Sequence, residues 1–418
     1  MDSAASALES RNINWKTAGV THRPRRSRIG AHGTPELNKV ITHPSIKSNS
    51  NLERVRLKVT VGMSALSYPN LTLSSSALDA TWFLPAPTVG ARAYYTSTRF
   101  DWGTMLGNVR FASHIVLDDN YWKASRPSPQ TPHDPTWTES GLGLASEWGC
   151  GDDGAHCGEG WGAYPEGATN GILGYEEAVA GGAFLKIGVG KLIKGSCVAM
   201  HWAQACNSSD PDDIYHFGSP YVFAEPPQWN VSQSAAGEAT MTHAASVGTR
   251  WGYYLRRTVR LVGNQLTVDT FVQNTGTERF AAPYYAHNFL SIDRQPVGPG
   301  WKLSLDDLPD ITSGTDRFTP LADFFDARGS QLTAVAPINN TVLHKFGGAL
   351  DVGSGSQGRF TATAHGVSIS KQLDGPLPLY QYNLYAEETT LSPEPSQLVR
   401  LDGGQSVLLS ASVTLSQA

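Results

Sequence analysis

Two side chains in the C-terminal part of the chain have the types that proton transfer needs. His287 sits among Tyr284, Tyr285 and Phe289. A histidine's ordinary pKa of about 6.5 lets it hold or release a proton near neutrality, and aromatic neighbours would tune that value by desolvation. Glu394 stands between Pro393 and Pro395, whose restricted backbones would aim a carboxylate. Partial burial would raise such a carboxylate toward a working base. Each has a plainer reading: a core histidine bonded to a backbone carbonyl, and a turn glutamate in water. Arg99 and Asp101 are two apart, so on a strand they share a face. They form a structural ion pair, the commoner outcome, or leave Arg99 to offer its forked donors to a ligand. His133 and Asp134 either hold a ligand hydroxyl or steady a loop turn. Lys186, between Leu185 and Ile187, either meets an acidic ligand or, more commonly, faces water. His114, His216 and His243 belong to no motif. No H-x-H or H-E-x-x-H spacing occurs, so neither a metal nor a cofactor is expected.

The elements that must carry these residues read as strands. In Arg256–Val272 two strands flank Gly263-Asn264, with Leu266, Val268 and Val272 on one face and Thr267, Asp269 and Gln273 on the other. Near the C-terminus Val407, Leu409, Ala411, Val413 and Leu415 alternate with Leu408, Ser410, Ser412 and Thr414, after the turn Asp402-Gly403-Gly404. Residues 125–135 are proline-rich, 149–171 glycine-rich and 205–235 polar with prolines. All three are expected to be loops, where binding residues usually sit. No short internal period suggests a propeller or solenoid. The expected class is all-β, a sandwich of antiparallel sheets with long loops.

Composition agrees. Charged residues make up 17% of 418, against roughly 25% in an average globular domain, while glycine (42) and proline (25) are plentiful. That balance favours short strands joined by turns over long solvated helices. The net charge of -5 carries no electrostatic footprint for nucleic acid. Residues 1–60 hold eleven Lys/Arg and four acids. With few large apolar residues they are expected to form a basic, disordered arm ahead of a β domain over 65–418. The arm is rich in Arg and Ser, as targeting peptides are, and reads equally well as a dispensable tail. No run of 18 apolar residues predicts a membrane helix, and no apolar stretch near Met1 predicts a secretory signal. A cytoplasmic location is the default. Secretion is the alternative, because sequons begin at Asn70, Asn207, Asn230 and Asn339 and the pairs Cys150/Cys157 and Cys197/Cys206 would suit disulfides.

Several phrases resemble the galactose mutarotase-like (aldose 1-epimerase-like) superfamily, in that family's order. Tyr94-Tyr95-Thr-Ser-Thr-Arg99-Phe-Asp101-Trp102-Gly resembles the YY-x-x-TRFDW word of one bacterial and fungal branch. His133-Asp134-Pro resembles its HD loop, and Glu147-Trp148-Gly its E-F-G. Gly174-Tyr-Glu-Glu-Ala178 with Phe184-Leu-Lys186-Ile-Gly-Val-Gly190 is a longer match. Pro283-Tyr-Tyr-Ala-His287-Asn288-Phe289-Leu290 is similar to N-H-x-Y-F-N-L, and Ser392-Pro-Glu394-Pro395 to the glutamate motif of hexose mutarotases. The resemblance covers roughly residues 78–415 and implies a β-supersandwich with a sugar cleft. It implies catalysis by one histidine and one glutamate, here His287 and Glu394. The matching positions Arg99, His133, Asp134, Tyr285, Asn288 and Trp102 would touch substrate. Two departures stand out. The G-R-x-x-N-R motif of typical epimerases is missing, and the gap from His133 to His287 is long.

Exchanging sugar anomers opens a hemiacetal, turns the C1–C2 bond and closes the ring on its other face. A base takes the anomeric hydroxyl proton while an acid protonates the ring oxygen. No metal is required. Each such group typically supplies about 10²–10⁴-fold. Trp102, Trp148, Trp161 and Tyr175 have the flat rings and polar handles that suit sugar faces, although most aromatics in a sandwich are core. The expected partner is a small sugar or a saccharide end. A non-catalytic sugar binder, or a saccharide lyase or hydrolase on the same fold, are the alternatives.

Overall fold

The computed structural model describes residues 70–85, 98–117, 144–149, 172–198, 215–216, 220–235, 237–306, 308, 311–347 and 358–418. The basic arm, the 125–135 loop, nearly all of the 149–171 loop, His133, Asp134, Trp161, Cys150, Cys157 and Cys206 lie outside them. Cys197 is disulfide-bonded.

Alternation of apolar and polar side chains, seen first as text, becomes two large antiparallel sheets. One runs in spatial order Asn70–Ser74, Leu78–Phe83, Leu106–Phe111, Leu144–Trp148, Phe280–Asn288, Thr390–Leu401, Leu379–Glu387, Val342–Phe346 and Gly314–Asp316, with His114–Leu117 beside the third. The other contains, among its ten strands, Val367–Asp374, Ser406–Gln417, Gln265–Asn274, Trp251–Val262, Glu238–Val247 and Trp229–Ala235 as neighbours in that order. A small sheet of Ile172–Leu173, Ala183–Lys186 and Gly190–Ile193 stands apart. Among the described residues there is no α-helix, only two short 3₁₀ turns, and no helix long and apolar enough to cross a membrane.

The hairpin read at Gly263-Asn264 joins Trp251–Val262 to Gln265–Asn274, with Val262 opposite Gln265. Gly263 takes φ +55°, which the tight turn needs and glycine adopts freely. The turn at 402–404 is not a hairpin. It carries the chain from Thr390–Leu401 in one sheet to Ser406–Gln417 in the other, where the last strand pairs with Gln265–Asn274 and Val367–Asp374. The 205–235 stretch also departs from the loop reading. Its end, Trp229–Ala235, is the edge strand beside Glu238–Val247, with Val231 opposite Met241.

Aliphatic side chains from both sheets meet in one core, which includes Leu106, Leu144, Leu255, Leu266, Ile369 and Leu415. Each such burial contributes roughly 1.5–3 kcal/mol. The Thr390–Leu401 strand is buried on both faces except at Arg400. Its odd-numbered residues face the core between the sheets. Its even-numbered ones, Ser392, Glu394 and Ser396, face the other way.

Candidate active site

Register alone gathers the site. Tyr285 pairs with Glu147 on one side and with Ser396 on the other, and His287 pairs with Ala145. Continuing the same register sets His287 across from Glu394. Because side chains alternate across a strand, Glu147, Tyr285, His287 and Glu394 leave three adjacent strands on one face. Ladder pairing between the His287 and Glu394 strands is recorded up to Tyr285–Ser396. Pro393 and Pro395 have no N–H to extend it. Side chains close the gap instead: the Asn288 N–H donates to Ser392 Oγ at 2.9 Å, and Asn288 Nδ2 donates to the Pro393 carbonyl at 2.6 Å.

Glu147 is the hub. Its Oε2 accepts from Arg99 Nε at 3.2 Å, Tyr285 Oη at 3.0 Å and His287 Nε2 at 2.9 Å. Lys186 Nζ lies 3.9 Å from its Oε1. The other ring nitrogen of His287, Nδ1, is 2.8 Å from Glu394 Oε1, which also accepts from Ser392 Oγ at 2.9 Å. Glu394 Oε2 accepts no hydrogen bond among the described residues. The residues are nearly closed to solvent, with Glu147 1%, His287 4% and Glu394 4% exposed. Phe100 meets the His287 ring edge-on at 5.1 Å between centroids and Phe289 stacks on it at 5.4 Å.

The charges follow from these contacts. Burial alone would raise the Glu147 carboxyl, but Arg99, His287 and Lys186 together hold it well below the usual carboxylate range. Burial opposes a charged His287, yet Glu394 and Glu147 outweigh it and raise its pKa. Burial pushes the Lys186 ammonium down to about 8 against the attraction of Glu147. Burial, then the Glu147 charge, lifts the Tyr285 phenol well above its ordinary value, so Tyr285 acts here as a neutral donor. An ionised carboxylate only accepts hydrogen bonds. A ring with a carboxylate oxygen at each nitrogen therefore favours both protons, one facing Glu394 Oε1 and one facing Glu147 Oε2.

A second buried network lies behind the first, toward the other sheet. Asp101 Oδ1 accepts from the Gly103 N–H at 2.9 Å and so caps the 3₁₀ turn Trp102–Thr104. Asp101 Oδ2 accepts from Trp148 Nε1 at 3.0 Å and from Arg257 Nη2. Arg257 Nη1 also donates to Tyr284 Oη at 2.8 Å. The expected Arg99–Asp101 pair is thus replaced by two pairs, Arg99 with Glu147 and Asp101 with Arg257. Residues 98–100 form a bend and not a strand, so Arg99 and Asp101 do not share a strand face, and a strand of each sheet offers one of them its partner.

Of the residues named from sequence, His287, Glu394, Arg99 and Tyr285 come together. Asn288 does not join them; alternation turns its side chain to the core between the sheets, where it accepts from Lys371 Nζ at 2.6 Å. Trp102 is buried elsewhere, edge-on to Phe223. Trp148 is fully buried and bonded to Asp101. Lys186 is fully buried rather than solvated, donating to the Trp148 carbonyl at 2.5 Å. Glu147 was visible only as part of a short word and carried no assigned role. Its importance comes from cross-strand register, which a single sequence does not display. His287 and Glu394 touch directly, at 2.8 Å, instead of flanking a sugar-sized gap, since the register makes them cross-strand neighbours on one face. Among the described residues no His, Cys, Asp and Glu side chains form a metal-holding group.

No protein-family model matches the chain, and no curated protein matches it. Solved structures do. A protein of Klebsiella pneumoniae provisionally called an aldose 1-epimerase is 14% identical, covering 86% of this chain and 83% of that one, with a TM-score of 0.47. An Escherichia coli K12 protein with the same provisional name is 12% identical over 84% of this chain and 99% of that one, TM-score 0.42. A galactose mutarotase-like protein of Lactobacillus casei is 14% identical over 83% and 100%, TM-score 0.41.

Proposed function

We propose that the chain acts on carbohydrate and exchanges the anomers of a sugar at the face carrying Glu394. Glu394 is the proton acceptor, and His287 and Glu147 stand behind it and stabilise its charge. The observation that carries this reading is the unbroken run Glu394–His287–Glu147, bonded at 2.8 and 2.9 Å, with no hydrogen bond to Glu394 Oε2 among the described residues. Support also comes from the sequence words around Arg99, His287 and Glu394.

The chemistry uses one carboxyl group. Glu394 Oε2 takes the proton of the anomeric hydroxyl as the bond from C1 to the ring oxygen breaks and the C1 carbonyl forms. The ring oxygen that leaves C1 then receives that proton from the same carboxyl and becomes the open-chain hydroxyl. After rotation about C1–C2 the steps reverse on the other face. His287 keeps its protons and stabilises the carboxylate; Glu147 stabilises the imidazolium, as a buried anion does for a cation next to it. In this contact the histidine assists the acid–base group and does not deliver the proton to sugar itself.

The test is anomer exchange read by magnetisation transfer between the two C1–H resonances of free hexoses and saccharide ends. The wild-type protein should accelerate exchange, and Glu394→Gln should lower the catalysed rate on the order of 10²–10⁴-fold. Undiminished exchange by Glu394→Gln, with sugar still bound, ends the proposal. A second reading, a sugar-binding protein without catalysis, is favoured by one feature: both ring nitrogens of His287 are occupied. It predicts binding by the wild-type protein with no acceleration at all.

A further inference from the structure

Behind the His287–Glu394 contact, on the core side of the same strands, sits a lysine that the proposed chemistry does not use. Lys371 is 2% exposed. It borders an apolar cavity of about 20 Å³ whose walls include Leu106, Leu144, Leu266, Ile369 and Val413. Its Nζ donates to Asn288 Oδ1 at 2.6 Å. The Asn288 amide nitrogen in turn donates to two backbone carbonyls, Ala286 at 2.9 Å and Pro393 at 2.6 Å. Ala286 immediately precedes His287, and Pro393 immediately precedes Glu394.

From this arrangement we infer that Lys371 is a positioning residue: acting through Asn288, it sets the distance between His287 and Glu394. The argument rests on the asymmetry of a primary amide. Its nitrogen only donates and its oxygen only accepts. Two carbonyls demand the nitrogen on one side, and Lys371 demands the oxygen on the other. Rotating the amide by half a turn would set its NH₂ against an amine donor and its oxygen against two carbonyl oxygens. Lys371 thereby fixes the one amide orientation that clamps the strands together where two prolines have removed the ladder. Burial pushes the Lys371 amine down to about 7, opposed by the Glu394 carboxylate on the far side of the strand. Both the charged and the neutral amine retain an N–H for Asn288 Oδ1. The neutral amine can also accept, so above that value the two carbonyls keep the amide turned this way and Lys371 completes the clamp as a donor.

The geometry of the pair carries the inference, and its weight in catalysis rests on the proposed function. The experiment separates the two by reading His287 directly. Uniformly ¹⁵N-labelled full-length protein is compared with Lys371→Met, which fills the space without a donor, and Lys371→Gln, which restores a neutral donor. The readout is the exchange of the His287 ring N–H protons with water, with the buried ring of His243, which contacts Tyr253 and Trp229, as internal reference. Lys371→Met should speed His287 exchange at least tenfold relative to His243, and Lys371→Gln should bring it back toward wild type. Unchanged His287 exchange in a folded Lys371→Met overturns the inference. Should that variant fail to fold, Asn288→Asp decides: it still accepts from Lys371 but cannot donate to both carbonyls. Faster His287 exchange in it supports the clamp, and wild-type exchange removes it. A wild-type protein inert toward sugars would sink the proposed function while leaving this readout intact.

Discussion

Replacing Glu147 with glutamine tests the electrostatic account most severely. The change keeps shape and volume but deletes the one anion that faces Arg99, Lys186, Tyr285 and His287 together. A glutamine oxygen can still accept, yet its NH₂ must point toward a donor, and the nearby cations lose their counter-charge. Removing one partner of a buried charge network typically costs about 3–5 kcal/mol, because the remaining charges stay buried and uncompensated. About 4 kcal/mol is a large share of the roughly 5–15 kcal/mol that holds a native domain together, so the variant should fold but unfold at much lower denaturant. The penalty should also shrink in acid. A carboxyl held low in the folded state stabilises fully above its ordinary pKa. That contribution begins to fall as pH drops below the ordinary value and is gone only below the folded one, so pH 4 shows the start of the loss. Denaturant unfolding at pH 7 and pH 4, with NMR titration of His287, measures both effects. A loss under about 1 kcal/mol at pH 7, with His287 titrating as in wild type, would refute the reasoning.

Other substitutions probe neighbouring parts of the account. Gly188→Ala should destabilise on the order of 3 kcal/mol by thermal unfolding, since Gly188 sits at φ +76° and an added Cβ would lie 2.2 Å from the Asp101 carboxyl; a neutral result would show that Asp101 has room to move. Lys371→Met should flatten the alkaline rise in stability. A lysine at about 7 when folded and near 10.5 when unfolded leaves the unfolded chain holding the extra proton between those values, so stability climbs with pH in that window. Between pH 7.5 and 9.5 the wild-type protein should gain about 2–3 kcal/mol more than the variant, read from urea midpoints. His287 has the opposite sign: its raised pKa contributes stability that is full below about 6.5 and fades as pH rises through the folded value.

The sandwich was legible wherever one face of a strand meets water. The Gly263-Asn264 hairpin and the alternation of Val407 to Leu415 were readable because period-two patterns survive in half-buried strands. The Thr390–Leu401 strand hid its period, since both of its faces are buried, so the turn glutamate stayed open beside the catalytic reading of Glu394. Within the site, His287 and Glu394 were identifiable from residue type and surrounding words, and Tyr285 followed at a spacing of two. Glu147 and Lys186 were not. Their roles arise from contacts made across 140 and 39 sequence positions, to His287 and Glu147 respectively, and such pairings are decided by strand register, to which composition and local spacing are blind. Asn288 shows the converse limit: it adjoins His287 in the chain, and alternation sends it to the other side of the sheet.

The charge state of the His287 ring bears most directly on the central claim, because everything proposed for the site follows from an imidazole held between two carboxylates. ¹⁵N spectra at pH 7 should show Nδ1 and Nε2 both protonated, with two slowly exchanging ring protons that persist above the ordinary histidine pKa of about 6.5. A ring with one bare nitrogen, titrating near that ordinary value, would mean that Glu147 and Glu394 do not hold it as described, and the charge stabilisation proposed for Glu394 would have no basis.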